Sequence, residues 1–147
     1  MYLLDTNHCS QIIFGHAPIA ARLRATDPTL IATSAIVQGE LIYMAQNSER
    51  KAENEQVVLR FLEKVVVYPV NPVVARCYGH LKAGIIARFA PKERKKRRHY
   101  KIQDVGIDDN DLWIAATTLV YGCTLVSADR DFQRIQEVQD FPLESWL

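Results

Sequence analysis

Four acidic residues in this chain stand where chemistry could be done with them. Asp5 closes a short apolar run and is followed by Thr6 and Asn7; Glu40 lies about two turns into a helical segment; Asp111 opens another; Asp129 follows closely on the run Thr124 to Val126. Each has an ordinary use on its own: Asp5 as a helix cap, Asp111 beside a helix dipole, Asp129 in a turn, Glu40 on an exposed helix face. Four carboxylates gathered without matching Lys or Arg are another matter, because they repel one another and hold protons they would otherwise release. A cation removes that conflict. Oxygen donors select hard ions, and Mg²⁺ is held by a few carboxylates with water and substrate phosphate oxygens rather than by a full protein cage. The chemistry such a site supports is phosphodiester hydrolysis, in which one ion acidifies an attacking water and a second, roughly 3.5–4 Å away, stabilises the leaving oxygen.

Acids so distant in sequence meet only if a fold gathers them. Short apolar runs at Tyr2 to Leu4, Leu30 to Ala32, Val65 to Val70 and Thr124 to Val126 are too brief for helices and are rich in β-branched residues or bounded by turns, which predicts strands. Longer segments with helical spacing separate them: Ser34 to Gln46, Glu49 to Glu63, Val73 to Phe89 and Asp109 to Tyr121. Buried strands alternating with helices imply an α/β fold with a parallel sheet covered on two sides. Ligands of such sheets bind beyond the carboxyl ends of the strands, where Asp5 and Asp129 fall. Thr33 and Ser34 can cap the helix that follows them, Pro28 and Pro72 stand at element entries, and Gly122 ends an apolar helical pattern. Phe141 to Trp146 reads as a short edge strand, where proline is tolerated, with Trp146 packing on the last helix.

The 147 residues suit one domain spanning 1–147, with a basic surface segment at about 90–105. At 48% hydrophobic and 24% charged the composition favours neither disorder nor a membrane class. No window approaches the roughly 18 apolar residues of a membrane span, and the start Met1-Tyr2-Leu3-Leu4-Asp5 has no leader-like pattern, which points to the cytoplasm. Cys9, Cys77 and Cys123 are widely spaced and form no Cys-x-x-Cys pair, so they read as reduced and buried. His8, His16, His80 and His99 show no ligand spacing and read as structural; His8, three residues after Asp5, is the one placed to border the crevice. Phosphate loops, dinucleotide fingerprints and serine-nucleophile elbows are all absent.

Four stretches carry a family resemblance: LLDTN at Leu3 to Asn7, TSAIVQGEL at Thr33 to Leu41, NDLWIAA at Asn110 to Ala116 and LVSADRDF at Leu125 to Phe132. In order and spacing they resemble PIN-domain nucleases, specifically the VapC-type toxins of bacterial toxin–antitoxin pairs, and the likeness reaches the final PLESW. The resemblance implies a three-layer domain with a central parallel sheet of four to five strands flanked by helices. It also implies a Mg²⁺- or Mn²⁺-dependent cut in RNA by a metal-activated water. Asp5 would be the central metal ligand, Asp111 and Glu40 would ligate directly or through water, and Asp129 would help hold a second ion or its water. Thr6, Asn7 and Ser127 would order the site by hydrogen bonds, Ser127 standing where the family often has threonine. Asp108 and Asp109, beside Asp111, leave open which of them shares its role. The family further implies a homodimer joined by apolar helix surfaces and a cognate VapB-like antitoxin that blocks the site.

The segment Ala90 to Val105 is longer and more basic than the family leads one to expect. Between Lys92 and Lys101, the residues Lys92, Arg94, Lys95, Lys96, Arg97, Arg98 and Lys101 face a single acid, Glu93, although the formal net charge of the whole chain is only +1. Two uses stand side by side: a phosphate-binding rim that feeds RNA into the acidic crevice, or a contact surface for an antitoxin. Two rival functions are also weighed. A haloacid-dehalogenase-like phosphatase needs a second aspartate two residues after the first, and Asn7 occupies that place. A non-catalytic RNA-binding or regulatory module of PIN-like fold would have no use for four intact carboxylates.

Overall fold

A computed structural model describes Met1–Leu147. Five short strands form one sheet, β1 (Tyr2–Leu4), β2 (Ile31–Ser34), β3 (Val66–Tyr68), β4 (Thr124–Val126) and β5 (Leu143–Glu144), in the order β3-β2-β1-β4-β5. All four pairings are parallel, with Leu3 opposite both Ala32 and Leu125, and Leu4 opposite Val126. Side chains alternate between the faces of a strand, and all four residues of β2 are buried, so both faces of the sheet centre are covered. The helices that cover it are α1 (Thr6–Ile13), α2 (Ala17–Arg24), α3 (Ala35–Gln46), α4 (Lys51–Leu62), α5 (Pro72–Phe89), α6 (Arg94–Arg98), α7 (Ile102–Val105), α8 (Asp109–Tyr121) and α9 (Arg130–Gln136). One contiguous apolar core joins Leu3, Leu4 and Leu125 of the sheet to Leu41, Leu112, Phe132 and Ile135 of the helices, all almost completely buried.

The strands and the four long helices fall where apolar spacing places them, with shifts at the ends. Leu30 belongs to a 3-10 turn, Pro28–Leu30, that Asp27 caps, so β2 starts one residue later. Ser34 caps α3 by accepting from the Val37 N–H, and Asn71 caps α5 in the same way through Val74, one residue before Pro72. Gly122 closes α8 at φ 63°, a left-handed conformation that needs no Cβ. At the far edge β5 is shorter than the predicted strand, and Pro142 just ahead of it serves the sheet through its carbonyl, which accepts from Leu125 N at 2.8 Å. Three contacts hold Trp146 at this edge. Its ring meets Tyr2 edge-on at 5.5 Å, the Arg22 guanidinium of α2 stands over it, and its indole N–H donates to Glu144.

Cys9 and Cys123 are buried and Cys77 only half so; all three are free. Burial pushes the thiols of all three above their ordinary range. No helix is long and apolar enough to cross a membrane.

Candidate metal centre

β1 and β4 lie side by side, so the residues that follow them emerge together at the carboxyl edge of the sheet. That is where chain direction and neighbouring strand order open a crevice in parallel α/β sheets. Asp5 follows β1 and caps α1, its carboxylate accepting from the His8 N–H at 2.7 Å. Asp129 follows β4 and caps α9 through the Asp131 N–H at 2.9 Å, and Asp108 caps α8 through the Asn110 N–H at 2.8 Å. The ordinary use and the chemical use therefore coincide: an acid at an N-cap is held by the helix it starts, and the helix N-terminus favours its charge.

Hydrogen bonds tie the acids to one another. The Ser127 hydroxyl donates to Asp5 Oδ2 and accepts from the Asp129 N–H at 3.0 Å, so one buried side chain sets the spacing of two acids on neighbouring strands. Glu40, in the second turn of α3, receives the Thr6 hydroxyl on Oε2 and the Asn110 side-chain N–H on Oε1 at 2.9 Å. Its carboxylate thus joins α1, α3 and α8.

Asp5, Thr6, Asn7, Glu40, Asp108, Asp111, Asp129 and Asp131 line one crevice of about 270 Å³, with Ile114 and Phe132 as its apolar part and Gly106 at its edge. Carboxylate oxygens of Asp111, Asp129 and Asp131 lie within 4.8 Å of one another. Burial pushes the Asp111 carboxyl up to about 8, and the charges of Asp129, Asp108, Glu40 and Asp131 add to the shift. No Lys or Arg forms an ion pair with Glu40, Asp108, Asp111 or Asp129; only Asp131 has one, with Arg134 at 3.4 Å. A set of hard oxygen donors crowded together and short of positive charge fits a divalent cation of the Mg²⁺ or Mn²⁺ kind.

All four acids singled out by sequence line this crevice, as do Thr6 and Asn7, while Ser127 lies buried behind Asp5. Of the two acids next to Asp111, Asp108 faces the crevice. Asp109 turns away and accepts from the Tyr78 hydroxyl at 2.6 Å and from Lys82 at 3.4 Å. Asp131 and Asn110 are additions that sequence reasoning passed over, although both lie inside the motifs LVSADRDF and NDLWIAA. His8 does not border the crevice: it is fully buried behind Asp5. None of the seven basic residues forms the crevice wall. Arg94 to Arg98 form α6, where Arg97 donates to the Ala87 carbonyl at 2.8 Å, and Lys101 lines a separate groove with Lys82 and Asp109.

With the acids, their strands and their order along the chain in view, the comparison with known proteins is direct. Residues 2–138 match the PIN domain. The chain belongs to the PIN-domain family. Curated relatives include Ribonuclease VapC2 of Rickettsia felis, 29% identical over 150 residues that cover 99% of this chain and 98% of the relative. Ribonuclease VapC2 of Haemophilus influenzae is 28% identical over 148 residues, covering 99% and 98%. Among solved structures, this PIN domain is similar to the crystal structure of VapBC2 from Rickettsia felis bound to a DNA fragment from their promoter, with a TM-score of 0.79, 26% identity and coverage of 99% and 98%. VapBC-1 from nontypeable Haemophilus influenzae gives a TM-score of 0.76 at 26% identity, covering 99% and 97%.

Proposed function

We propose that this PIN domain is a Mg²⁺- or Mn²⁺-dependent endoribonuclease, the VapC-type toxin of a toxin–antitoxin pair, and that Asp5, Glu40, Asp111 and Asp129 hold its metal. The observation that carries the reading is the meeting of these acids, without balancing cations, in one crevice of a fold whose curated relatives are named ribonucleases. An acidic crevice by itself repels a phosphodiester. A divalent ion bound there supplies Lewis acidity, drawing a phosphate in and acidifying water for attack on it.

The side chains have separate tasks in this scheme. Asp5, held by Ser127 and by the first turn of α1, offers a carboxylate of fixed orientation at the centre of the crevice. Asp111, whose hold on its proton is strengthened first by burial and then by the neighbouring acids, would serve the cation as a ligand in its deprotonated form. Glu40 is held by Thr6 and Asn110 at the side that α3 forms, and Asp129 and Asp131 stand together at the start of α9. Thr6, Asn7 and Ser127 order these groups without themselves needing charge. The basic residues Lys92, Arg94, Lys95, Lys96, Arg97, Arg98 and Lys101, outside the wall, make contact with phosphates of the RNA further from the cut. A VapB-like antitoxin partner is supported by solved VapBC complexes of the same fold, and a homodimer belongs to the same reading.

The test is cleavage of a mixed pool of structured RNAs by the purified, antitoxin-free protein with Mg²⁺ or Mn²⁺. Cutting that is restored by metal and lost in EDTA supports the reading. Tight RNA binding by folded protein with no cutting in either metal would replace the nuclease with a binding module.

A further inference from the structure

His8 is a buried ionisable side chain in direct contact with Asp5 that the scheme above leaves without a task. Its ring is completely buried, one helical turn into α1, and both ring nitrogens have partners. Nδ1 lies 2.9 Å from Asp5 Oδ1, and the Trp146 backbone N–H points at Nε2 from 3.4 Å. An amide can only donate, so Nε2 is the acceptor; the ring proton is then on Nδ1 and is donated to Asp5. Asp5 Oδ1 therefore receives two donors, the His8 backbone and the His8 ring, while Oδ2 receives Ser127. Three donors reaching one carboxylate, two from α1 and one from the loop after β4, fix the plane of the group and leave one acceptor site, on Oδ2, free at the crevice.

An apolar side chain would fill this buried position in α1 without the desolvation that an imidazole brings. The polarity of the ring has two visible uses, the bond to Asp5 and the bond from the Trp146 N–H. Its far side is fastened to the end of the chain, where Trp146 is seated on Tyr2 and on Glu144 of β5.

We propose that His8 is a positioning residue of the metal centre: the chain's C-terminal segment holds its ring through Trp146, and the ring holds the Asp5 carboxylate in the orientation that binds the cation. The inference rests on the reading of Asp5 as a metal-holding residue.

It is tested by measuring Mn²⁺ affinity, through the electron paramagnetic resonance signal of free Mn²⁺, together with kcat and KM on RNA. The chains compared are the unaltered protein, His8→Leu, His8→Asn and His8→Gln. The side-chain amide nitrogen of asparagine takes the place of Nδ1, whereas that of glutamine falls near Nε2 and does not reach Asp5. His8→Leu and His8→Gln are expected to bind Mn²⁺ about 10–100-fold more weakly, with kcat lowered and KM for RNA unchanged, and His8→Asn to recover most of the affinity. His8→Leu matching the unaltered protein in Mn²⁺ affinity, or His8→Asn doing no better than His8→Gln at equal thermal stability, overturns the proposal. If the variants fail to fold, long-range ¹H–¹⁵N spectra of the unaltered protein decide, because a ring protonated on Nε2 alone is incompatible with it. Failure of the unaltered protein to bind Mn²⁺ would instead remove the underlying reading of the centre, a result distinguishable from failure of the His8 step alone.

Discussion

Asp111 is the residue at which the electrostatics of the centre can be read most directly. Its carboxyl is pushed up to about 8, first by burial and then by four neighbouring acids, so the metal-free folded protein holds a proton there that the unfolded chain gives up near pH 4. The sign follows from linkage. The folded state binds more protons across that window, so the stability this group contributes is full below pH 4 and is lost as pH rises through about 8. A cation competes for the same oxygens. Calorimetry should therefore show one proton released on Mn²⁺ binding, and affinity weakening by roughly tenfold for each pH unit below about 8. An affinity independent of pH between 6 and 8 would remove Asp111 from the ligand set. The same residue shows what a sequence can and cannot tell. Asp111 was legible because it stands immediately before LWIAA. The orientation of its neighbours was not, since Asp108 and Asp109 differ only in whether a cap or the Tyr78 hydroxyl claims the side chain.

Among the elements, legibility followed apolar periodicity. α3, α5 and α8 bury three or more residues each, α4 buries Val58 and Leu62 one turn apart, and all four are long enough to announce themselves by spacing. α1 and α2 have eight residues each, too short a run for a helical period to stand out from the sequence. α9 has seven residues, too few for a period to emerge, and Asp131 in its first turn passed unnoticed for that reason. α1 and α9 nevertheless set the site, because their N-termini are where Asp5 and Asp129 are held. Close packing joins α5 to the segment after α9: a Cβ built at Gly84 would lie 2.6 Å from Val138 Cγ1. Gly84→Ala is expected to destabilise the protein by about 1–3 kcal/mol, as overpacking does. Thermal denaturation should show most of that loss recovered in Gly84→Ala with Val138→Ala, whereas additive losses would mean that the two side chains do not meet.

The whole molecule separates its charges. A net charge of +1 hides an acidic crevice and a basic segment that the fold keeps apart, with Lys101 in a neighbouring groove and the chain returning to the crevice at Gly106. Composition displayed the segment but not its position, because a run of exposed Lys and Arg carries no packing signal. If α6 tracks the RNA backbone, replacing Arg94, Lys95, Lys96 and Arg98 by alanine should lower RNA affinity and flatten its dependence on salt, by roughly 0.7 in log–log slope for each phosphate no longer neutralised. Binding measured in an Asp5→Asn background, where asparagine preserves the cap of α1, separates this from cutting. An unchanged slope would assign the segment to another partner.

The central claim is that distant acids, gathered at the carboxyl ends of β1 and β4, hold a divalent ion. A crystal of the protein soaked in Mn²⁺, with data collected for anomalous scattering, tests it most directly. The predicted result is an anomalous peak in the crevice between Asp5 and Asp111, within ligand distance of their oxygens and absent in Asp5→Asn. A crevice without a peak at Mn²⁺ concentrations that support RNA cleavage would contradict the claim.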